Sequence, residues 1–241
     1  MNPTAGTVKK ELQRYADPKR AVFVAGYFKT GKGEYAEGDV FLGLRVPQVR
    51  EVAKKFGTIP LGEAEKLLHS MVHEHRQAAL MILVRQFAKG APGEKKAIYD
   101  LYLKNTRHIN NWDLVDGSAP AIVGGYLREK KGERKILLRL ARSKSVWERR
   151  IAILSSWAFV RSKGDTRDLV AIATVLLSDT HDLIHKAVGW MLREMGKTDE
   201  KQLYSFLDKH AHIMPRTMLR YSIERLSPAT RRKYLSIRAK K

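Results

Sequence analysis

Five segments of this chain recur at a nearly constant spacing, and no other feature restricts the fold as much. Aligning HRQAALMIL (from His75), NWDLVDGSA (from Asn111, offset by one residue), ERRIAILSS (from Glu148), IHKAVGWML (from Ile184) and RYSIERL (from Arg220) makes Ala78, Val115, Ile151, Ala187 and Ile223 equivalent, at steps of 37, 36, 36 and 36 residues. A fixed period in this range marks a stack of two-helix units, each of which buries its apolar face only against its neighbours. Helical periodicity dominates and strand alternation is hard to find. The fold expected is all-α, an α-α superhelix of about six two-helix units forming a single domain over 1–241. Its repeat helices should lie near 75–88, 111–127, 146–160, 183–195 and 216–226.

Local signals agree with that reading. Asp17-Pro18 supplies an N-cap followed by proline at the first helical position, opening a helix through Phe28. Pro47 opens another, with an apolar stripe of Val49, Val52, Ala53 and Phe56 that Gly57 ends. Ser145 and Glu148 have capping-box spacing, and Asp165 and Asp199 precede apolar-periodic runs. Pro120 follows Asp116 by four residues and must kink or split the helix there. The glycine-rich stretch KTGKGEYAEGD (29–39) reads as a mobile loop between two early helices. It lacks the GxxxxGK[ST] pattern of a phosphate cradle. The basic end, 228–241, reads as a partly frayed tail with Arg231, Arg232, Lys233, Arg238, Lys240 and Lys241.

Charge says what such a stack is for. Lys and Arg number 46 against 25 Asp and Glu, a net charge of +21 with a sequence pI near 10.2. Solubility rarely needs more than about 2–8 net charges on a small domain, so a polyanionic partner is implied. A membrane fits less well, because the longest apolar run, Ala78 to Val84, is far too short to span a bilayer. The N-terminal stretch lacks the apolar core of a signal peptide. With no cysteine there are no disulfides, thiol nucleophiles or thiolate metal sites, which fits a reducing compartment. The expectation is a cytoplasmic, nucleoid-associated protein of a bacterium or archaeon, a monomer, with no cofactor. His181 and His185 have metal-ligand spacing, but no glutamate completes HExxH and no metal is expected.

Four residues on the repeat helices stand out as a possible site: Trp112, Asp116, Arg150 and Trp190. Trp112 and Asp116 are four apart and share a helix face. With Val115 and its equivalents as origin, Trp112 and Asp116 fall at about +60° and +100°, and Arg150 and Trp190 at about −100° and −60°. Such directions on successive helices can converge on one groove. The duller readings are core packing for the tryptophans and an internal ion pair of Asp116 with Arg150. Arg76, Arg149, Lys186 and Arg193 read as phosphate contacts or as plain solvated charges. Asp113 reads as a first-turn helix charge, Trp147 and Trp157 as core, and His73-Glu74-His75 as a helix start on the surface.

FLGLRVPQVREVAKKF (41–56), RQAALMILVRQF (76–87), NWDLVD (111–116), WERRIAIL (147–154) and IHKAVGWMLRE (184–194), taken in order, resemble the DNA alkylation repair family of HEAT-like bacterial DNA glycosylases. The resemblance covers nearly the whole chain. It implies a HEAT-like helical-repeat solenoid whose open basic groove holds double-stranded DNA containing alkylated bases. By motif, it also implies Asp116, Trp112 and Trp190 as catalytic residues and Arg150 as their arginine partner; the reading of the residues themselves adds Arg149, Lys186, Arg193 and Arg76 to Arg150 as expected DNA contacts. The implied reaction is excision of cationic N3- or N7-alkylated purines. Two features differ from the family pattern: Asn111-Trp112 stands where the best-known members have two adjacent tryptophans, and the stretch 29–39 is unusually long. The other functions weighed are a non-catalytic binder of damaged or branched DNA and a protein-binding scaffold. The scaffold leaves the charge unexplained.

Overall fold

A computed structural model describes residues 3–237, so Arg238, Lys240 and Lys241 of the expected basic tail lie outside the described residues. Among the described residues every regular element is helical. One isolated bridge, between Val40 and Val72, is the only strand-like pairing. The chain forms two compact units, Met1–Ile122 and Val123–Lys241.

The first unit contains α1 (Ala5–Gln13), α2 (Pro18–Tyr27), α3 (Val46–Lys55), α4 (Leu61–Leu68), α5 (His73–Lys89), α6 (Pro92–Lys104) and α7 (Trp112–Asp116). Asp17 caps α2 by accepting the N–H of Arg20, with Pro18 at the first position. In α3 the expected stripe of Val49, Val52 and Ala53 is buried. Helix α5 meets α3, α4, α6 and α7 on different sides. That explains why Ala78, Ala79, Leu80, Ile82 and Leu83 are all buried, rather than a single stripe. Each large apolar side chain so removed from water stabilises the unit by roughly 1.5–3 kcal/mol before chain entropy is counted.

The second unit contains α8 (Gly125–Leu127), α9 (Lys135–Ala141), α10 (Val146–Ser155), α11 (Trp157–Lys163), α12 (Arg167–Val175), α13 (Asp182–Gly196), α14 (Glu200–His210), α15 (Arg216–Ser222) and α16 (Pro228–Ser236). Here α10, α13 and α15 pack in one row, and α9 packs on α12 behind it. The row is tight. A Cβ on Gly189 would lie 2.5 Å from the carbonyl oxygen of Met218, so only glycine lets α15 approach α13 this closely. The five register positions, Ala78, Val115, Ile151, Ala187 and Ile223, are all at most 1% exposed. The repeat in the sequence is thus a repeat of core positions.

Two expected helices are each divided. The helix expected over 111–127 ends at Asp116, passes Gly117 and resumes through a π-turn at Pro120–Gly124. Proline has no N–H to give the carbonyl four residues back, here that of Asp116. The helix expected over 146–160 breaks at Ser156. There the Ser155 and Ser156 hydroxyls donate to the carbonyls of Ile151 and Ile153, back-bonding of the kind that bends helices.

One expectation about exposure is corrected. His73-Glu74-His75 is not a surface helix start: the three residues are 2%, 3% and 7% exposed. Glu74 accepts the backbone N–H groups of Leu42, Gly43 and Leu44, tying the segment before α3 to the start of α5. Gly43 sits there at φ +83°, and a Cβ would lie 2.3 Å from the Asp17 carbonyl oxygen. The stretch 29–39 is a loop between α2 and α3, as expected. It folds on itself through the Ala36 N–H to the Lys29 carbonyl, with Ala36 buried and Glu34 and Glu37 accepting the N–H groups of Gly31 and Gly33.

Candidate functional site

The geometry is built from α7, a helix of only five residues. Asn111 begins it: its side-chain oxygen accepts the Trp112 N–H at 2.8 Å, and Asn111 itself is fully buried. Leu114 and Val115 point into the core. Trp112 and Asp116 are half-buried on the face they share. In the first unit, then, one short helix offers an indole and a carboxylate together, as the four-residue spacing predicts.

Asp113, between them, has a different task. Its Oδ2 accepts His73 Nε2–H at 2.9 Å and the Gln77 amide at 2.9 Å. His73 Nδ1 faces Asp39 at 3.4 Å, and Asp39 also takes Arg76 Nη2–H at 2.7 Å and the Asn111 amide at 3.5 Å. Arg76 is 3% exposed and donates in addition to the carbonyls of Ser70 and Met71. It is an internal tie and presents little surface to a ligand. Burial opposes charging His73, but Asp113 and Asp39 overcome that, and the imidazole is raised to about 9. Burial pushes the Asp39 carboxyl up, yet the hydrogen bond from His73 and the charge of Arg76 hold it below its ordinary value. Sequence reasoning missed this network. Its partners are 34 to 72 residues apart, and no local pattern joins them.

A pH effect follows from His73. A histidine raised in the folded state contributes stability that is fully present below its unfolded value of about 6.5 and is lost as pH rises through about 9. The contribution is at most about 3–4 kcal/mol, since each tenfold gain in proton affinity is worth about 1.4 kcal/mol. The melting temperature should therefore fall between pH 7 and about 9.5, and His73→Gln should flatten that fall. An equal alkaline decline in His73→Gln would remove His73 as its cause.

Aromatic rings layer against the same helix. Trp112 stacks on Phe28 (centroids 5.3 Å, 18°), Phe28 on Phe41 (5.2 Å, 21°) and Phe41 on His73 (4.7 Å, 23°). Tyr27 meets Trp112 edge-on at 6.3 Å.

Along α3 and α5 of this unit runs a row of cations. Arg50 and Lys54 are one turn apart on α3, as are Arg85 and Lys89 on α5. Lys54, Lys55, Arg85 and Lys89 line a cavity of about 600 Å³ in which Glu94 is the only acidic residue. Arg85 also borders an adjoining hollow of about 280 Å³, lined by Arg50, Gln77, Asp113 and Gly117, which reaches α7. Arg50, Lys54 and Lys89 are exposed and Arg85 is half-buried. The i, i+4 spacing of these four was the available sequence signal.

In the second unit the expected residues are largely engaged. Arg150 is 5% exposed, and its Nη1 donates to the carbonyl of Leu183, tying α10 to α13. Arg149 pairs with Asp179 at 2.6 Å and donates to the carbonyls of Ser143 and Lys144. Lys186 pairs with Asp182 at 2.7 Å, and Arg193 with Glu224. Trp190 is half-buried with its ring 6.1 Å from that of Trp157, over which Arg161 lies at 5.5 Å. Trp147 is core, as expected, at 8% exposed, whereas Trp157 is half-buried. His181 caps α13 through Nδ1, and His185 bonds the Asp179 carbonyl. Trp112 and Asp116 thus share one unit, and Arg150 and Trp190 the other.

A family model described as DNA alkylation repair enzyme matches residues 8–226. A solved structure described as a predicted DNA alkylation repair enzyme from Enterococcus faecalis is similar, with a TM-score of 0.70 and 18% identity. The match covers 88% of this chain and 97% of that one. At that identity it speaks for the all-helical repeat fold alone. No curated protein matches the chain.

Proposed function

The chain belongs to the DNA alkylation repair enzyme family, and on that premise we propose that it is a DNA glycosylase releasing cationic N3- or N7-alkylated purines from duplex DNA. The observation that carries the reading is the shared face of α7, where the Trp112 indole and the Asp116 carboxylate lie one turn apart and half-buried. Among the described residues no helix is long and apolar enough to cross a membrane, and the net charge of +21 calls for a polyanion.

The chemistry asks for little. A purine alkylated at N3 or N7 already carries positive charge and leaves without a strong general acid. As the C1′–N bond breaks, its electron pair neutralises the departing base and the sugar becomes oxocarbenium-like. The Asp116 carboxylate stabilises that developing charge more than it stabilises the ground state. The electron-rich face of Trp112 contributes in the same sense, and Trp190 is assigned the same role. Water then adds to C1′, with Asp116 orienting it and accepting its proton.

Phosphate tracking falls to exposed cations. Arg76 and Arg150 are buried and donate to protein acceptors, so in the first unit we assign the backbone contacts to Arg50, Lys54, Arg85 and Lys89. Each neutralised phosphate adds about −0.9 to the slope of log affinity against log salt. The double variant Arg50→Ala/Lys54→Ala should therefore weaken duplex binding irrespective of sequence and make the slope about two units shallower. Wild-type affinity that is flat between low and moderate salt would sink the phosphate-tracking model. Release of free 7-methylguanine from methylated duplex, measured by chromatography, tests the glycosylase reading itself. Tight binding with no base released would favour the non-catalytic binder.

A further inference from the structure

Helix α2 turns an apolar stripe to solvent. Lys19, Val22, Phe23, Gly26 and Tyr27 recur at i, i+3, i+4, i+7 and i+8, the spacing of one helix face, and all five are exposed. Val22 is 77%, Phe23 70% and Tyr27 61% exposed, whereas Val24 is the one buried residue of the helix. Gly26 adds no side chain to the stripe, and nothing lies within 4 Å of where its Cβ would be. Tyr27 in turn meets the Trp112 indole edge-on at 6.3 Å, so the stripe reaches the helix that carries Asp116.

Large apolar groups left together in water mark a binding face, and the charges around this one select its occupant. Lys19 lies on the stripe itself, and Lys29 and Lys32, both exposed, follow its end. The nearby carboxylates are occupied: Asp17 accepts the N–H of Arg20, and Glu34 and Glu37 accept those of Gly31 and Gly33. A second copy of this chain would set these lysines against their own kind, on a molecule already carrying +21. A nucleic acid meets the same surface with phosphates on the lysines and bases on the rings. In a duplex, an apolar side chain standing out from a rigid element enters between base pairs and unstacks the step. Four helical residues advance about 6 Å, so Phe23 lies within about two base steps, of roughly 3.4 Å each, of the level of Tyr27. We propose that Phe23 is a wedge that enters the duplex beside the alkylated nucleotide and unstacks its neighbour, baring C1′ to Asp116, while Lys19 holds a flanking phosphate. The inference rests on the DNA-repair reading for its partner and not on base release.

The probe is a duplex with a single 7-methylguanine and 2-aminopurine as the adjoining base, whose fluorescence rises when it loses its stacking. The full chain should raise that fluorescence on rapid mixing, before base is released, and Phe23→Ala should not. Phe23→Ala should also bind roughly tenfold more weakly, the usual effect of losing one contact with a base. Its slope of log affinity against log salt should be unchanged, since an apolar side chain releases no counterions. Lys19→Ala should do the opposite, keeping the fluorescence rise while making the slope shallower by about one. Phe23 is exposed, so the melting temperature of Phe23→Ala should match the wild type and unfolding is removed as a cause. Phe23→Leu should restore most of the rise, because a wedge needs bulk rather than an aromatic ring. No rise with the wild-type protein, or an equal rise and affinity with Phe23→Ala, overturns the proposal. Wild-type dimers in sedimentation that Phe23→Ala dissolves also overturn it, giving the face to a second copy. A rise without any release of 7-methylguanine keeps the wedge and removes the glycosylase reading, and release without a rise does the reverse.

Discussion

Asp116→Asn is expected to leave the fold and duplex affinity nearly intact while lowering single-turnover base release by about 10²–10³, or roughly 3–4 kcal/mol. The substitution keeps shape and hydrogen-bonding capacity but removes the charge that faces the oxocarbenium-like sugar. Trp112→Ala and Trp190→Ala should cost less in rate and weaken binding somewhat, because they supply cation–π contact and positioning. Asp116 is half-buried at the end of α7, a place suited to a carboxylate that meets a ligand. Were it instead the buried half of an internal ion pair, Asp116→Asn would be destabilised by about 3–5 kcal/mol and lose activity through unfolding. Thermal melting and base release measured on the same preparation separate the two accounts. A stably folded Asp116→Asn protein with full activity would sink both.

Arg134→Ala should be the most damaging single change to stability in the second unit. Arg134 is 5% exposed, and its Nη1 reaches Asp165 and Asp168, each at 2.9 Å. Its other nitrogens donate to the carbonyls of Leu127 and Arg128, and its guanidinium lies 3.8 Å from the centre of the Phe159 ring. Hydrogen bonds from Arg167 and then Arg134 hold the Asp165 carboxyl far below the usual carboxylate range. Truncating Arg134 leaves two carboxylates without their buried partner and two carbonyls without donors, a loss of about 3–5 kcal/mol. Arg134→Lys should recover little, because a point charge cannot serve carbonyls and carboxylates from one planar fork. Denaturant titration is the measurement, and a change under about 1 kcal/mol would show that these bonds are replaced by water.

The sequence by itself determined the helical repeat. Every 36–37 residues an apolar position must face its neighbours for the stack to form, so Val115, Ile151 and Ala187 announce themselves as core without reference to anything distant. The pairing of Trp112 with Asp116 was legible for the same reason: four residues is one helical turn, and spacing on a helix is local. Asp17-Pro18 and Pro120 were legible too, since capping and the missing proline N–H act within one turn. Tertiary structure alone decided which charges were available. Arg76 and Arg50 look alike in sequence, yet Asp39, 37 residues away from Arg76, holds the first in the interior, while the second stays exposed. Likewise Asp113 and Asp116 differ only in which neighbour they meet: Asp113 faces His73 from α5 and is taken into the network. The stretch 29–39 followed the same rule. Its glycines permit many conformations, and its packed form comes from Phe28 and Asp39 finding Trp112, His73 and Arg76. Periodicity encodes what repeats along the chain, and a contact between segments that do not repeat has no period to betray it.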